Sequence, residues 1–482
     1  MREANRILVY LSLIILSGCT YTFPKDELPN SGSADFSKVI TIGNSITAGF
    51  ANGALYDDGQ ANSFSSILAG QLAIITPTPF NQPDITSPVG YFGSLDDGTP
   101  MGRLILVNPE NPLPAPVIPG NPFDVNYEGN KTLLNNFGVP GMRLIDADVQ
   151  GFANDNRYYK RFALDISAGS LISDAVAANS SFFTFWLGNN DILGYASNGA
   201  SGNPSGDGSN HDDMISLSLF ESKYEPIINQ LLSNGAQGVV ANIGNITDIP
   251  FFNTVPYNLV SFDDKDPEDT LRIFNLNQAY KDYNTSVTEA LNLGTITPEE
   301  AELRKVEFAD GNNGVIIYDE NLTDLSGQES IRMAHAGDLL TFFALIIYEQ
   351  DLGDGPIGTE APMGDEYVLT PEEQTIILER TEAFNKIIQR TIINHSESLA
   401  LVDINSIFKD FAAYGAIING SGLTSSIFPP YGGFSLDGTH PNPRGAAFIA
   451  NHFIEVINQN FAANIPMVNP NNYAGNEGPI LP

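Results

Sequence analysis

Apolar residues along the chain fall into short β-branched or aromatic runs closed by turn residues, and into longer stretches spaced for one face of a helix. V-I-T-I at 39–42, S-F-F-T-F-W-L at 181–187, G-V-V-A-N-I at 238–243 and L-A-L-V-D-I at 399–404 read as strands. Between them, residues 62–72 place Phe64, Ile67, Leu68 and Leu72 on one helical face. Helices are also predicted over 221–232, from Thr370 to about Asn394, and over 444–457. Thr370-Pro371-Glu372-Glu373 and Thr297-Pro298-Glu299-Glu300 are both capping boxes, with Thr as cap, Pro in the first position and Glu in the third. Strands alternating with helices at this spacing predict an α/β fold with a parallel, doubly wound sheet.

The patterning lapses in two places. Residues 76–122 hold 11 of the 31 prolines, which rules out a helix and disfavours interior strands. This predicts a long loop, an insertion at about 76–130, whose Tyr91, Phe92, Phe123 and Tyr127 either form part of a substrate wall or pack a surface loop. A second insertion is predicted at about 253–370. Its apolar run L-L-T-F-F-A-L-I-I-Y at 339–348 is too short to span a bilayer and predicts a buried element, with an acyl-binding wall as the alternative. Residues 197–213 read as a solvated Gly/Ser/Asn loop, and the spacing of His211, Asp212 and Asp213 matches no familiar metal site. A Gly/Pro-rich loop is expected between 404 and Asp437, and an irregular tail over 461–482.

Charge narrows the choice of partner. Lys and Arg number 22 against 57 Asp and Glu, a formal charge of −35, so the surface repels phosphate backbones and excludes nucleic acid. Charged residues make up 16% of the chain, below the usual level of about 25%, which leaves Asn, Ser, Thr and Gly to cover much of the surface. At the N-terminus, Arg2 and Arg6 precede the apolar run 7–16 and then Leu16-Ser17-Gly18-Cys19, the arrangement of an export signal with a bacterial lipobox. The expectation is a signal peptide over 1–18, a lipid on Cys19, a tether over 19–35, and attachment to a bacterial membrane, taken as the outer one. Cys19 is the only cysteine, so neither a disulfide nor a cysteine-metal cluster is available.

Four segments carry candidate chemistry. Gly43-Asn44-Ser45 closes the first strand and puts a hydroxyl at its C-terminal end, where sites form in open α/β sheets; an ordinary turn would look the same. Asp437 and His440 lie three residues apart just before a helix, a spacing that lets the carboxylate bond Nδ1 while Nε2 accepts a proton from a serine; a helix cap is the plainer alternative. In Leu133–Arg143, Gly141 would let a backbone N–H approach a substrate oxygen, or simply make a Pro-Gly turn. Gly188-Asn189-Asn190-Asp191 ends a strand and offers the Asn190 amide as a donor. None of His211, His335, His395 and His452 has both a carboxylate three residues before it and a helix after it.

Taken together and in this order, the four segments resemble the blocks of SGNH (GDSL-type) hydrolases of the lipase/esterase kind. Gly43-Asn44-Ser45 stands for G-D-S, Asn136 to Gly141 for the glycine block, Gly188 to Asp191 for G-x-N-D and Asp437 to His440 for D-x-x-H. The G-x-S-x-G elbow of the α/β-hydrolases is absent around Ser45. The resemblance implies a three-layer α/β/α, flavodoxin-like domain over 36–460, carrying the insertions. It also implies a Ser45-His440-Asp437 triad, an oxyanion hole from the Ser45 and Gly141 N–H groups and the Asn190 amide, no metal or organic cofactor, and lipid or carbohydrate esters as substrates. Asn44 replaces the usual Asp, at the cost of a local negative charge. The alternative is a surface lipoprotein that binds carbohydrate or lipid with an idle site.

Overall fold

The computed structural model describes residues 28–110, 112–123, 126–353 and 355–479; Cys19 and the signal-like run lie outside them. The central elements, in chain order, are β1 (Val39–Gly43), α1 (Ser45–Ala48), α2 (Phe64–Ile75), β2 (Asn136–Gly138), β3 (Phe182–Trp186), α3 (Asn190–Ser197), α4 (Leu217–Leu232), β4 (Gln237–Ala241), α5 (Pro371–Asn394), β5 (Leu399–Val402), α6 (Ile404–Tyr414) and α7 (Pro443–Phe461). The five strands form one sheet in the order β5-β4-β3-β1-β2, with every pairing parallel. In register, Thr41 lies opposite Asn136 on one side and Thr184 on the other.

Side chains alternate across the sheet and bury on both faces, as parallel strands require. Ile40, Ile42, Phe183, Phe185 and Val240 pack with Phe220 and Tyr224 of α4 and Phe384 and Ile388 of α5. Val39, Phe182, Trp186, Val239 and Val402 pack with Phe64 and Leu68 of α2 and Phe453 and Ile457 of α7. The sheet therefore lies between helices on both sides. The span from Val255 to Val368 builds a separate apolar cluster around Val260, Phe262, Leu276, Phe308, Ile316 and Leu340. Among the described residues no helix is long and apolar enough to cross a membrane.

Several expectations need correction. The proline-rich span contains two short antiparallel pairs, Gly93–Ser94 with Pro100–Met101 and Leu104–Val107 with Leu113–Pro116. Proline is tolerated because each pair has only two strands, so a residue without an N–H can face outward. The run 339–348 is not one buried element. Leu339–Leu340 pairs with Val368–Leu369, then Thr341 turns the chain by donating to Tyr367 and accepting from Ala344, and Phe343 and Ile346 are left 48% and 61% exposed. The region after β5 holds a helix, α6, started by Asp403 accepting from the Ser406 N–H. Only Thr370-Glu373 completes its capping box; the Glu300 carboxylate turns instead to Arg304 and Thr323. The tether, finally, stops short of residue 35. Asn30 pairs with Asn464, and Ser33 donates to the Phe461 carbonyl at the end of α7.

Candidate active site

The turn after β1 has little freedom. A Cβ on Gly43 would stand 2.0 Å from Thr47 Oγ1, so the strand can enter α1 this tightly only with glycine at that point. Asn44 then caps α1, its Oδ1 accepting from the Ile46 N–H at 3.0 Å, and Ser45 becomes the first helical residue at the C-terminal end of β1. Ser45 is nearly buried. As the first residue of a helix, its N–H has no intrahelical acceptor.

Asp437 and His440 approach on the loop before α7, whose cap is Asn442 accepting from Gly445 N–H. That loop closes on itself where Ser435 N–H donates to His440 C=O at 2.7 Å. It docks on the chain just after α1. Asn52 N–H donates to Ser435 Oγ, Asn52 Oδ1 accepts from Leu436 N–H, and Gly53 N–H donates to Asp437 Oδ2 at 2.8 Å. The imidazole bridges the two halves: Nε2 is 2.8 Å from Ser45 Oγ and Nδ1 is 3.1 Å from Asp437 Oδ2. Oδ1 of Asp437 accepts from the Thr439 and His440 N–H groups, both at 2.9 Å. Burial works against ionisation of Asp437, but the His440 charge and the hydrogen bonds from His440 and Gly53 outweigh it and hold the carboxyl down at about 2.

The glycine segment lies against the first. Val139 N–H donates to Gly43 C=O, and Gly141 has φ +77°, where a side chain would be strained. Asn156 Nδ2 donates to Pro140 C=O at 2.9 Å. Because a trans peptide points its C=O and N–H in opposite directions, this bond fixes the direction of the Gly141 N–H. Asn190 opens α3 at the end of β3 and donates one amide hydrogen to Met142 C=O at 3.0 Å, leaving the other free. Its neighbour Asp191 is fully buried and accepts from the N–H groups of Leu144 at 2.6 Å and Ile145 at 3.2 Å, which ties the glycine segment to α3. Burial pushes that carboxyl up to about 7 despite these bonds.

Ser45, Asn190 and His440 share one pocket of about 440 Å³. Its apolar wall is Ile46, Leu193, Ile246, Ile249 and Phe408, and Asn189 and Asn245 add amides. The Oδ1 atoms of both amides are buried without a donor. Gly141 is not part of the lining; it sits in the turn beside it, one residue before the Met142 carbonyl that Asn190 holds. On the other flank of His440 an aromatic chain leads outward: Phe50 at 4.9 Å between ring centres, Tyr158 on Phe50 at 6.2 Å, Phe123 on Tyr158 at 5.1 Å, and Tyr91 on Phe123 at 6.1 Å. Arg157 lies over both Phe123 and Tyr91. Of the four loop aromatics, Tyr91 and Phe123 thus extend from the site, while Tyr127 packs on the main core and Phe92 against Gly53.

Reading the sequence assigned no role to Asn52, Asn156, Asn189 or Asn245. Asparagines are so abundant here that none stands out by type; only the N-cap position of Asn156 before Arg157–Lys160 left a local trace. Comparison of the chain with family models, curated proteins and solved structures returns no match.

Proposed function

We propose that this chain is a serine ester hydrolase of the SGNH kind. The observation that carries the reading is the unbroken relay of Ser45 Oγ, His440 and Asp437, at 2.8 and 3.1 Å. Ser45 Oγ attacks the ester carbonyl as His440 Nε2 takes its proton. Asp437 orients the imidazole and stabilises the imidazolium, without itself taking the proton. The negative charge that develops on the carbonyl oxygen is met by the Ser45 and Gly141 N–H groups and the free amide hydrogen of Asn190. The imidazolium then protonates the departing alcohol, leaving the acyl group on Ser45. Water repeats the sequence: His440 takes its proton as it attacks, and Ser45 leaves with that proton returned. Asn44 acts through its cap on α1, a role its amide oxygen fills as well as a carboxylate would.

The pocket supports an ester with an apolar part and a polar neighbour. Its wall suits an acyl group, and the donorless oxygens of Asn189 and Asn245 would accept from a hydroxyl or amide N–H close to the scissile bond. Attachment through Cys19 belongs to the same reading and rests on the lipobox. A serine-directed fluorophosphonate should label the wild type and not Ser45→Ala, and p-nitrophenyl esters should be hydrolysed. Absence of both labelling and hydrolysis would leave the idle binding protein as the better account.

A further inference from the structure

His440 has two flanks. On one lies the apolar wall of Ile46, Leu193, Ile246, Ile249 and Phe408, which in the ester-hydrolase reading takes the acyl group. With the acyl group there, the alcohol lies on the other flank, because its oxygen must stay within reach of Nε2, which protonates it as it leaves. That flank is the ring of Phe50, 4.9 Å from the imidazole between centres. Beyond it the rings of Tyr158, Phe123 and Tyr91 follow edge to face, at interplanar angles of 85°, 89° and 71°. Phe50 belongs to the segment after α1, Tyr158 to the short helix Arg157–Lys160, and Phe123 and Tyr91 to the proline-rich insertion.

The track ends at a cation. Cζ of Arg157 stands 3.7 Å from the centre of the Phe123 ring and 4.6 Å from that of Tyr91, and the residue is exposed. Rings beneath a guanidinium fix its plane and leave N–H edges outward. The chain has 57 Asp and Glu against 22 Lys and Arg, yet among the described residues none of those acids forms an ion pair with Arg157. Its segment is also tied to the oxyanion side of the site. Asn156 Oδ1 starts the short helix by accepting from the Tyr158 and Tyr159 N–H groups, while its Nδ2 holds Pro140 C=O. One side chain thus places both the Gly141 turn and the backbone that carries Arg157 and Tyr158.

From this arrangement, and resting on the ester-hydrolase reading, we propose that Arg157 determines specificity: it pairs with a carboxylate on the alcohol part of the ester, whose ring lies along Phe50 and Tyr158. A planar guanidinium matches the two oxygens of a carboxylate. Arg157 touches no reacting atom; it holds the far end of the alcohol while His440 protonates the near one.

Two pairs of acetate esters test this: para-acetoxybenzoate against para-acetoxybenzamide, and the corresponding biphenyl pair, which sets the anion one ring farther from the ester. For each pair the ratio of kcat/KM, carboxylate over amide, is measured in the wild type and divided by the same ratio in Arg157→Gln, so that the differing reactivity of the phenols cancels. The factor should reach about three- to fivefold in the pair whose length fits, the size of an exposed ion pair. A second measurement needs no variant. The wild-type ratio should fall as NaCl is raised from about 0.15 to about 0.5 M, since a close exposed pair is weakened over that range, whereas the general repulsion of anions by a charge of −35 is largely screened at the lower salt already. A factor below about twofold in both pairs, or a wild-type ratio that does not fall with salt, would overturn the proposal. A lowered melting temperature in Arg157→Gln beside such a factor would mean that the arginine only pins the insertion. Those failures leave hydrolysis of all four esters in place. If none of the four is hydrolysed and Ser45 takes no fluorophosphonate, the ester-hydrolase reading itself falls, and the role of Arg157 with it.

Discussion

Replacing Asn190 separates transition-state stabilisation from folding more cleanly than any other change at the site. Its amide has two hydrogens: one goes to Met142 C=O at 3.0 Å, and the residue also lines the pocket shared with Ser45. Asn190→Ala removes both. Loss of the first is an ordinary part-buried hydrogen bond, about 1 kcal/mol of stability. On the proposed mechanism, loss of the second removes an oxyanion donor, about 2.7–4 kcal/mol in the transition state, or about 10²–10³ in kcat. Asn190→Asp sharpens the contrast. A carboxylate at the first position of α3 is favourable to the helix by about 0.3–1 kcal/mol, which offsets part of the lost bond to Met142. Yet it sets a negative charge where the proposed mechanism develops the oxyanion, so its kcat should fall below that of the alanine variant. Steady-state kinetics on p-nitrophenyl acetate, with melting temperatures from the same preparations, measure both. If Asn190→Ala keeps kcat within about threefold of wild type, or if Asn190→Asp is the more active of the two, the amide is not an oxyanion donor.

Ser45→Ala and His440→Ala should each abolish nearly all turnover, and the double variant should be scarcely worse, because nucleophile and base act as one unit; additive losses in single-turnover assays would contradict the relay. Asp437 has a folded pKa of about 2 against an ordinary 3.8, so its contribution, about 2 kcal/mol, is present above that ordinary value and lost as pH falls toward 2. Guanidinium unfolding at a series of pH values should therefore show a shallower acid decline for Asp437→Asn. Asn156→Asp keeps the cap on Tyr158 and Tyr159 but turns an acceptor toward Pro140 C=O; kcat should drop by about tenfold, with KM little changed, and Asn156→Gln should not restore it. Cys19→Ala should release the protein from the membrane fraction without changing its melting curve, as cell fractionation would show.

The strands and principal helices were legible because their signals are local. β1, β3, β4 and β5 lie within two residues of their predicted ends, and Thr370 and Asn442 sit at the starts of α5 and α7. Strand order was not legible: β1 lies between β2 and β3, a choice set by long-range packing that the run V-I-T-I does not encode. α6 was hidden because the Gly and Pro residues after it drew the whole stretch toward a loop reading, although Asp403 had already announced a cap. At the site, Ser45, Asp437, His440 and Asn190 could be named because their chemistry is tied to short spacings. Asn52, which docks the Asp437 loop by bonds spanning 383 and 384 positions, has no such signature. Nor does Asn156, whose importance lies in one carbonyl 16 residues away.

The clasp between Ser33 and the end of α7 sets where the N-terminal segment leaves the domain relative to the pocket. α7 begins three residues after His440 and ends at Phe461, where the chain's N-terminal segment is held. Its 19 residues span about 28 Å, so His440 and the point where the N-terminal segment is held are at opposite ends of that helix. From Cys19 to Leu28 the backbone can extend about 30 Å at most. A chain of this length folds into a body about 60 Å across. A lipid on Cys19 would therefore hold the far end of the domain toward the bilayer and keep Ser45 turned to the aqueous side. The esters that reach it would be those diffusing in solution or displayed on neighbouring surfaces, rather than the lipids of the leaflet in which the anchor sits.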